Sequence, residues 1–341
     1  MAADPTEPAA SDVARKLIII VLGLAALVTA MLAAFALPSV NGGPHHVPIG
    51  VTGPPQATGA LQTKLDGDAW DVTAYDSADA ITSAVKDREI MGGLVVGAGG
   101  VEVYTATAAG PSVAGALTAL GNTMAAQQHT QATVHDLVPF STDDPRGAGL
   151  GAATLPLIFG GVLPAVILSR VFPGHRGLRT RVGGVLLFAL AAGFAVTAFL
   201  HYITGSLDGA YLLTSLGLSL GIAALSTTFI GLEALTGFAG IGVGAGVMML
   251  LGNPLSGLAT GPHWLPGPWA GLGQVLPPGA SGGLLRANAF FDGAGAAGPS
   301  LILGGWVLIG LALAVIADRR GREPDRSEQA NASPLSVEGA V

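Results

Sequence analysis

Long apolar runs without a charged side chain dominate this sequence. The first run, Leu17 to Leu37, follows Arg15 and Lys16 and has no interruption. A helix of this length covers roughly the 30 Å hydrocarbon core of a bilayer, at about 1.5 Å per residue. Hydrophobic residues make up 50% of the chain and charged residues only 11%, whereas about 25% of an average soluble domain is charged. The sequence therefore predicts an integral membrane protein.

Further apolar runs return at residue 150 and continue almost to the C-terminus. We interpret them as spans at 150–172, 182–203, 211–231, 234–252 and 299–317. The stretch 211–252 is too long for one span, and Glu233, between two nearby glycines, is predicted to be the hairpin turn. Ala34-Phe35-Ala36 also fits a cleavage site, but the first run exceeds the roughly 7 to 15 apolar residues of a signal peptide. We therefore favour a retained anchor at 17–37 and six spans in total.

The segment 38–149, between the first and second spans, has a different character. It is more polar than its surroundings, and its length of roughly 100 residues is enough to bury a core. Short alternating patterns predict strands at 47–51, 70–75 and 92–96, and apolar periodicity predicts helices at 77–89 and 112–138. The predicted fold is an α-helical polytopic membrane protein of about six transmembrane helices, with an α/β domain inserted between the first and second.

Basic residues near the ends of the spans predict the orientation. Cytoplasmic segments carry an excess of Lys and Arg, and such residues occur in the tail 1–16, the loop 173–181 and the tail 318–341. Both termini are therefore expected in the cytoplasm, with 318–341 disordered. The α/β domain and the loop 253–298 then lie outside. Abundant Gly and Ala with few Lys suggest a bacterium, which makes the plasma membrane the expected location.

Several function classes lack their sequence signatures. A net charge of −7 with fifteen Lys plus Arg argues against nucleic-acid binding. The chain contains no cysteine, and we find no hydrolase or metalloprotease motif. Lys16, Lys64 and Lys86 are the only lysines, and none lies in a P-loop. We predict no enzymatic activity, no metal and no cofactor for this chain, so any ATP hydrolysis would belong to a partner.

The loop 173–181 is a candidate docking site for a cytosolic ATPase subunit, because its clustered cations suit an acidic groove. The alternative is that positive-inside bias alone produces such a loop. Glu233 is treated as an interfacial hairpin carboxylate and not as a proton relay. The candidate docking residues are His175, Arg176, Arg179 and Arg181.

The loop 253–298 is too long and too rich in Pro, Gly and Trp for a simple turn. Such segments belong at the membrane interface. A short helix at 279–291 is predicted to lie on or dip into the outer leaflet, the alternative being a plug of structural value only. The most recognisable elements are Asn253-Pro254, Ser256-Gly257, Leu276-Pro277-Pro278-Gly279, Leu285-Arg286, Phe291 and Gly293.

At these residues the chain resembles the membrane subunits of type-2 ABC exporters, in the branch related to phage infection protein. The resemblance covers the order of elements over nearly the whole chain. It implies a permease half that pairs with a copy of itself or a related permease, and with a separate P-loop ATPase subunit. It also makes 173–181 the coupling contact. The implied outer gate comprises Asn253, Pro254, Ser256, Gly257, Pro277, Pro278, Arg286 and Phe291.

Two functions therefore stay open at the level of sequence. The first is an exporter whose nearly uniform apolar spans suit an amphiphilic or lipid-like substrate. The second is a non-transporting scaffold or receptor, whose exported domain binds a wall component, a secretion partner or a phage. A scaffold predicts function in the isolated segment 38–147, whereas an exporter predicts activity that depends on a partner ATPase.

Overall fold

The computed structural model describes residues 10–97 and 99–331. A long helix comes first, a mixed α/β layer follows, and a helical bundle makes up the remainder. The elements up to the bundle are α1 (Ala10–Val40), β1 (Val47–Thr52), α2 (Pro55–Leu65), β2 (Trp70–Ala74), α3 (Ala78–Lys86), β3 (Gly92–Gly97), β4 (Gly100–Thr105), α4 (Pro111–Gln127) and β5 (Thr133–Asp136).

The five strands form one sheet in the order β2-β1-β3-β4-β5. Only the β3–β4 pair is antiparallel, and these two strands form a hairpin. Adjacent strand residues point to opposite faces: the Gly92 position faces Leu117 of α4, and the Gly93 position faces Ile81 of α3. The sheet therefore lies between α3 on one face and α4 on the other.

The predicted strands at 47–51, 70–75 and 92–96 coincide with β1, β2 and β3, and Ser77 accepts the N-cap hydrogen bond of α3. The helix predicted at 112–138 is too long, because α4 ends at Gln127 and 133–136 forms β5. Strand β4 and helix α2 were not predicted. The alternation in β4 is short, because Val101 and Val103 are the only buried apolar side chains in the strand.

The bundle consists of long helices and several short helical segments. Its elements are α5 (Ala148–Ala152), α6 (Thr154–Val171), α7 (Leu178–Ala198), a π-helical turn (Phe199–Ile203), α8 (Tyr211–Thr236), α9 (Phe238–Val247), a second π-helical turn (Met248–Gly252), 3₁₀ turns (Pro254–Ser256 and Pro262–Trp264), α10 (Trp269–Val275), α11 (Pro277–Phe290) and α12 (Ala297–Asn331).

Within the described residues, five helices are long and apolar enough to cross a membrane. They are Asp12–Pro38, Ala148–Val171, Leu178–Ile203, Tyr211–Thr236 and Ala297–Gly321. The chain is thus a helical protein of polytopic membrane type. The run predicted as a span at 234–252 forms the shorter apolar helix Phe238–Gly252.

Two predicted boundaries are wrong. Helix α8 continues through Glu233, and the break comes at Gly237, whose φ of 71° is favourable only for glycine. Helix α12 continues to Asn331 through residues that were predicted to be disordered from 318 onward. Extending an established helix costs little per residue. Residues 332–341 of that tail, and 1–9 of the N-terminal tail, lie outside the described residues.

Helix α8 is the centre of the bundle, and α6, α7, α11 and α12 all pack around it. Small residues allow the close approach. Gly193 of α7 faces Ser219, and Gly310 of α12 faces the backbone of Thr227. In contrast, α1 is exposed along most of its apolar length. We call the end of the bundle that carries the sheet the sheet end, and the opposite end the far end.

The sheet shares a hydrophobic core with the bundle. Ile81, Ala84 and Val85 of α3 belong to the same buried cluster as Leu285 and Phe291 from the α11 region. The other face of the sheet has a largely separate core with α2 and α4. The sheet is therefore packed onto the bundle through α3 and is not a free-standing appendage.

Candidate functional site

The sheet end contains a helical hairpin, α10 followed by α11, that enters the bundle and returns. The indole nitrogen of Trp306 donates to the carbonyl oxygen of Val275 at 2.8 Å, close to the tip of the hairpin. Trp306 is nine residues beyond Ala297, the first residue of α12, which places the tip about 14 Å into the bundle at about 1.5 Å per residue. The hairpin therefore reaches about half the depth of a bilayer core.

Helix α11 is buried along nearly its whole length. Pro277 and Pro278 occupy its first turn, where proline is favoured because no helical N–H is needed. The predicted helix at 279–291 is thus present, but it packs inside the protein against α8 and α12 and does not lie on a lipid surface. Its Gly and Ala residues permit that close packing.

Arg286 is the largest fully buried side chain among the described residues. Its Nη2 donates to the carbonyl oxygens of Gly257, at 3.1 Å, and Leu258, while its Nε has no hydrogen-bond partner in the described structure. Burial, with a contribution from the charge of Arg88, lowers the pKa of Arg286 to about 10. The guanidinium is still charged at neutral pH and cross-links α11 to the turn at 256–258.

The turn from Asn253 to Gly257 is tightly ordered by its own hydrogen bonds. The Ser256 hydroxyl donates to the carbonyl oxygen of Asn253 at 2.8 Å, and the Gln274 amide of α10 donates to the Ser256 carbonyl at 3.0 Å. Gly257 has a φ of 64°, which suits glycine. The structure thus brings the motif at 253–257 into contact with α10 and α11.

Two further residues of the predicted outer gate also lie in this region. Gly252, immediately before the turn, packs against the Pro278 ring. Phe291 lies beneath the guanidinium of Arg88, which is 5.1 Å from the ring centroid. The structure therefore brings Asn253, Ser256, Gly257 and Arg286 together at one turn. Pro278, at the start of α11, contacts the residue before that turn, and Phe291 lies beyond the other end of the same helix.

Arg88 contacts this region and was missed by the sequence analysis. Its Nη1 approaches the carbonyl oxygens of Gly283 and Ala294 at 3.3 and 3.4 Å, and burial lowers its pKa. A cation following a short helix looks like an ordinary surface residue in the sequence. Its positive φ of 60° belongs to an ordinary C-terminal cap of α3, in which the N–H groups of Arg88 and Glu89 donate to the carbonyl oxygens of Val85 and Ala84.

The far end contains a buried ion pair that joins two of the predicted candidates. The Arg181 guanidinium donates to the Glu233 carboxylate, to the Ser169 hydroxyl at 3.3 Å and to the Gly174 carbonyl at 3.1 Å. The side chains of Arg181 and Glu233 are only 3% and 12% exposed. This cluster connects the ends of α6 and α8, the start of α7 and the loop between α6 and α7.

The four predicted docking residues therefore separate into two groups. His175, Arg176 and Arg179 are exposed, so they are available for a partner. Arg181 is buried and committed to Glu233, so the prediction that it docks a partner is wrong. A buried arginine needs a carboxylate or several acceptors, and the pairing with Glu233 across 52 residues is not visible in the sequence.

Nothing in the described residues resembles a metal-binding cluster of His, Cys, Asp and Glu. No protein-family model, curated protein or solved structure matches the chain. The resemblance to type-2 exporters therefore depends on the order of elements and on the sheet-end motifs alone.

Proposed function

We propose that this chain is the membrane-spanning permease subunit of an ATP-driven type-2 exporter, in a bacterial plasma membrane. A separate P-loop ATPase subunit would supply the energy, and a second copy or a related permease would complete the path. The substrate would be amphiphilic or lipid-like. In this proposal the sheet end faces outward and Phe238–Gly252 serves as the sixth, short span.

The helical hairpin is the observation that carries the proposal: α11 is buried along nearly its whole length, and α10 packs beside it with Trp269 and Leu272 about half exposed. Short helices and irregular backbone are tolerated at membrane depth only where protein buries them or where they line a path. The hairpin reaches about 14 Å into the bundle by the geometry of Trp306 and Val275. A scaffold that merely anchors a domain has no need of such a device, whereas a transporter needs an outer closure.

The shared core also favours this function over the receptor alternative. The sheet is packed onto α11 through Ile81, Leu285 and Phe291. A movement of the α10–α11 hairpin would therefore also move the sheet. In this proposal the exposed cations at the far end contact the ATPase, and the cluster of Arg181 and Glu233 passes the movement of the loop to α8. The sheet end then opens as the far end closes.

Co-purification tests the proposal directly. The full chain is tagged and extracted in mild detergent, associated proteins are identified, and ATP hydrolysis by the eluate is measured. We expect a P-loop subunit whose hydrolysis depends on this chain. An eluate without a P-loop protein and without hydrolysis contradicts the exporter and supports the scaffold or receptor.

A matched pair of variants locates the contact. Replacing Arg176 and Arg179 together by Ala should reduce recovery of the ATPase at least tenfold. The control replaces Arg319 and Arg320, which are equally exposed cations at the same end on α12. Equal losses in the two double variants would indicate a general charge effect, and no loss in either would remove the loop as the contact. Arg181 is omitted because its replacement would disturb folding.

A further inference from the structure

Helix α1 is set apart from the bundle, and two clefts open beside its sheet-end half. The helix packs against Met248–Gly252 and Pro254–Ser256, and most of its remaining surface is exposed. Each cleft has a volume within the roughly 300 to 1,000 Å³ of ligand sites. The side chains that line each cleft determine which ligand chemistry it can accept.

The first cleft, which we call the apolar cleft, has a volume of about 560 Å³. Asn41 is the only polar side chain among its described aliphatic and amide lining residues, and Trp269 forms part of its wall. Its deepest lining residue on α1, Ala30, is ten residues before Val40, so the cleft extends about 15 Å along the helix at about 1.5 Å per residue. That is the depth of one leaflet's hydrocarbon.

The second cleft, which we call the polar cleft, has a volume of about 470 Å³. Its wall includes backbone of the turn at 253–260 and a set of neutral polar side chains. These are Thr154, Asn253, Ser256 and Thr260.

The two clefts are neighbours. Pro38 of α1 lines both of them, and the consecutive residues Pro254 and Leu255 line one each. One molecule with an apolar chain and a polar head can therefore contact both. The turn that separates them is the turn held by Arg286 through the Gly257 and Leu258 carbonyls.

Among the described residues, no charged side chain lines either cleft. An anionic head would lose its hydration there without gaining a cationic partner, which is costly. Among the polar side chains, those of Thr154, Ser256 and Thr260 already donate to backbone carbonyls. The Asn253 amide makes no side-chain hydrogen bond among the described residues and is partly exposed, so it can both donate to and accept from a hydroxyl or an amide.

We infer that the two clefts together bind one electrically neutral amphiphile, with an acyl chain in the apolar cleft and a hydroxyl- or amide-bearing head at Asn253. Its role as cargo rests on the proposed export function. The binding itself depends only on this chain. The site lies against the outer closure, so the bound molecule is positioned where movement of α11 would release or admit it.

Tryptophan quenching tests this site without any ATPase. The full chain is placed in phosphatidylcholine nanodiscs that contain increasing fractions of a diacylglycerol with brominated acyl chains. Bromine quenches a nearby indole, and Trp269 reports on the apolar cleft. Subtracting the signal of Trp269→Phe removes the contribution of the other tryptophans. Phosphatidylglycerol with the same brominated chains serves as the anionic comparison.

We expect the quenching of Trp269 by diacylglycerol to saturate at a low lipid fraction, and unbrominated diacylglycerol to reverse it. Ala34→Phe should fill the apolar cleft and abolish the saturable part. Ala26→Phe is the matched control, because Ala26 is exposed on the same helix outside the cleft. Asn253→Ala should weaken binding about tenfold, as expected for a lost hydrogen bond in a sheltered site.

Three outcomes would overturn the inference. Quenching that rises in proportion to the fraction of brominated lipid would report only lipid of the surrounding bilayer. Equal changes in quenching for Ala34→Phe and Ala26→Phe would lead to the same conclusion. Saturation by phosphatidylglycerol at equal or lower fractions would refute a neutral head. A negative quenching result would not change the result of the co-purification experiment. Likewise, the absence of an ATPase partner would not change the lipid-binding curve, so the two proposals can be refuted independently.

Discussion

Replacing Glu233 by Ala should destabilise the bundle strongly. The substitution leaves the Arg181 guanidinium, 3% exposed, with the Ser169 hydroxyl and the Gly174 carbonyl as its remaining acceptors in the described part of the chain. Removing one partner of a buried ion pair costs about 3 to 5 kcal/mol. Because Glu233 is 12% exposed, we expect the lower end, about 3 kcal/mol, which is about a hundredfold in an equilibrium constant.

The assay is the apparent melting temperature of the full chain in detergent, followed by tryptophan fluorescence. For a chain larger than about 150 residues, 1 kcal/mol corresponds to about 2 to 4 °C, so a loss of about 6 to 12 °C is expected. Asp208→Ala is the control, because Asp208 is an exposed carboxylate at the opposite end. It should change the melting temperature by less than about 1 °C, as surface substitutions do.

A double variant makes the reasoning refutable. Arg181→Met with Glu233→Leu removes both charges and leaves apolar side chains of similar length, which is often neutral for a buried pair. It should recover most of the loss caused by Glu233→Ala alone. If Glu233→Ala melts like Asp208→Ala, or if the double variant is no better than the single one, the pair does not hold the far end together.

Two further predictions concern packing and pH. Gly193→Ala would place a Cβ 2.6 Å from the backbone nitrogen of Ser219 and should cost about 1 to 3 kcal/mol. Gly183→Ala on the same helix meets open space and should leave the melting temperature unchanged or raise it slightly, because Ala favours a helix more than Gly does. Burial raises the pKa of the Asp144 carboxyl. Hydrogen bonds from the N–H groups of Gly149 and Ala148, together with weaker interactions, lower it by more, so the pKa lies below its ordinary 3.8. The pKa of Asp144 is lower in the folded protein than in the unfolded chain. Its ionised carboxylate therefore stabilises the fold above about pH 4, and this stabilisation is lost as the pH falls through the pKa of the folded state. The melting-temperature gap between wild type and Asp144→Ala should therefore narrow between pH 5 and pH 2, and a constant gap would contradict this sign.

The sequence predicted those parts of the fold that depend on local pattern. Apolar runs located the five long helices to within a few residues, and alternation located β1, β2 and β3. The prediction failed where distant contacts decide the structure. Glu233 stays helical because Arg181 provides its partner, and the chain turns only at Gly237, where the backbone requires a positive φ.

The candidate site shows the same division. The motifs at 253–257 and 276–291 were recognised as segments, and the structure brings them together through Arg286. Arg88 was missed because its partners, the carbonyls of Gly283 and Ala294, are about 200 residues away in the chain. The clefts were missed because they depend on how α1 stands apart from the bundle, which no single segment encodes.

The shared core of the sheet and α11 also constrains the order of synthesis. Ile81 and Phe291 belong to one buried cluster, yet the ribosome makes Phe291 only about 10 to 40 seconds after Ile81, at about 5 to 20 residues per second. Throughout that interval one face of the sheet would lack its final cover. The newly made segment would then be exposed to proteases and to other nascent chains until the last helices are inserted. The sheet therefore depends for its stability on residues that are made later, in α11 and beyond. A nonsense truncation before residue 277 should leave no intact sheet.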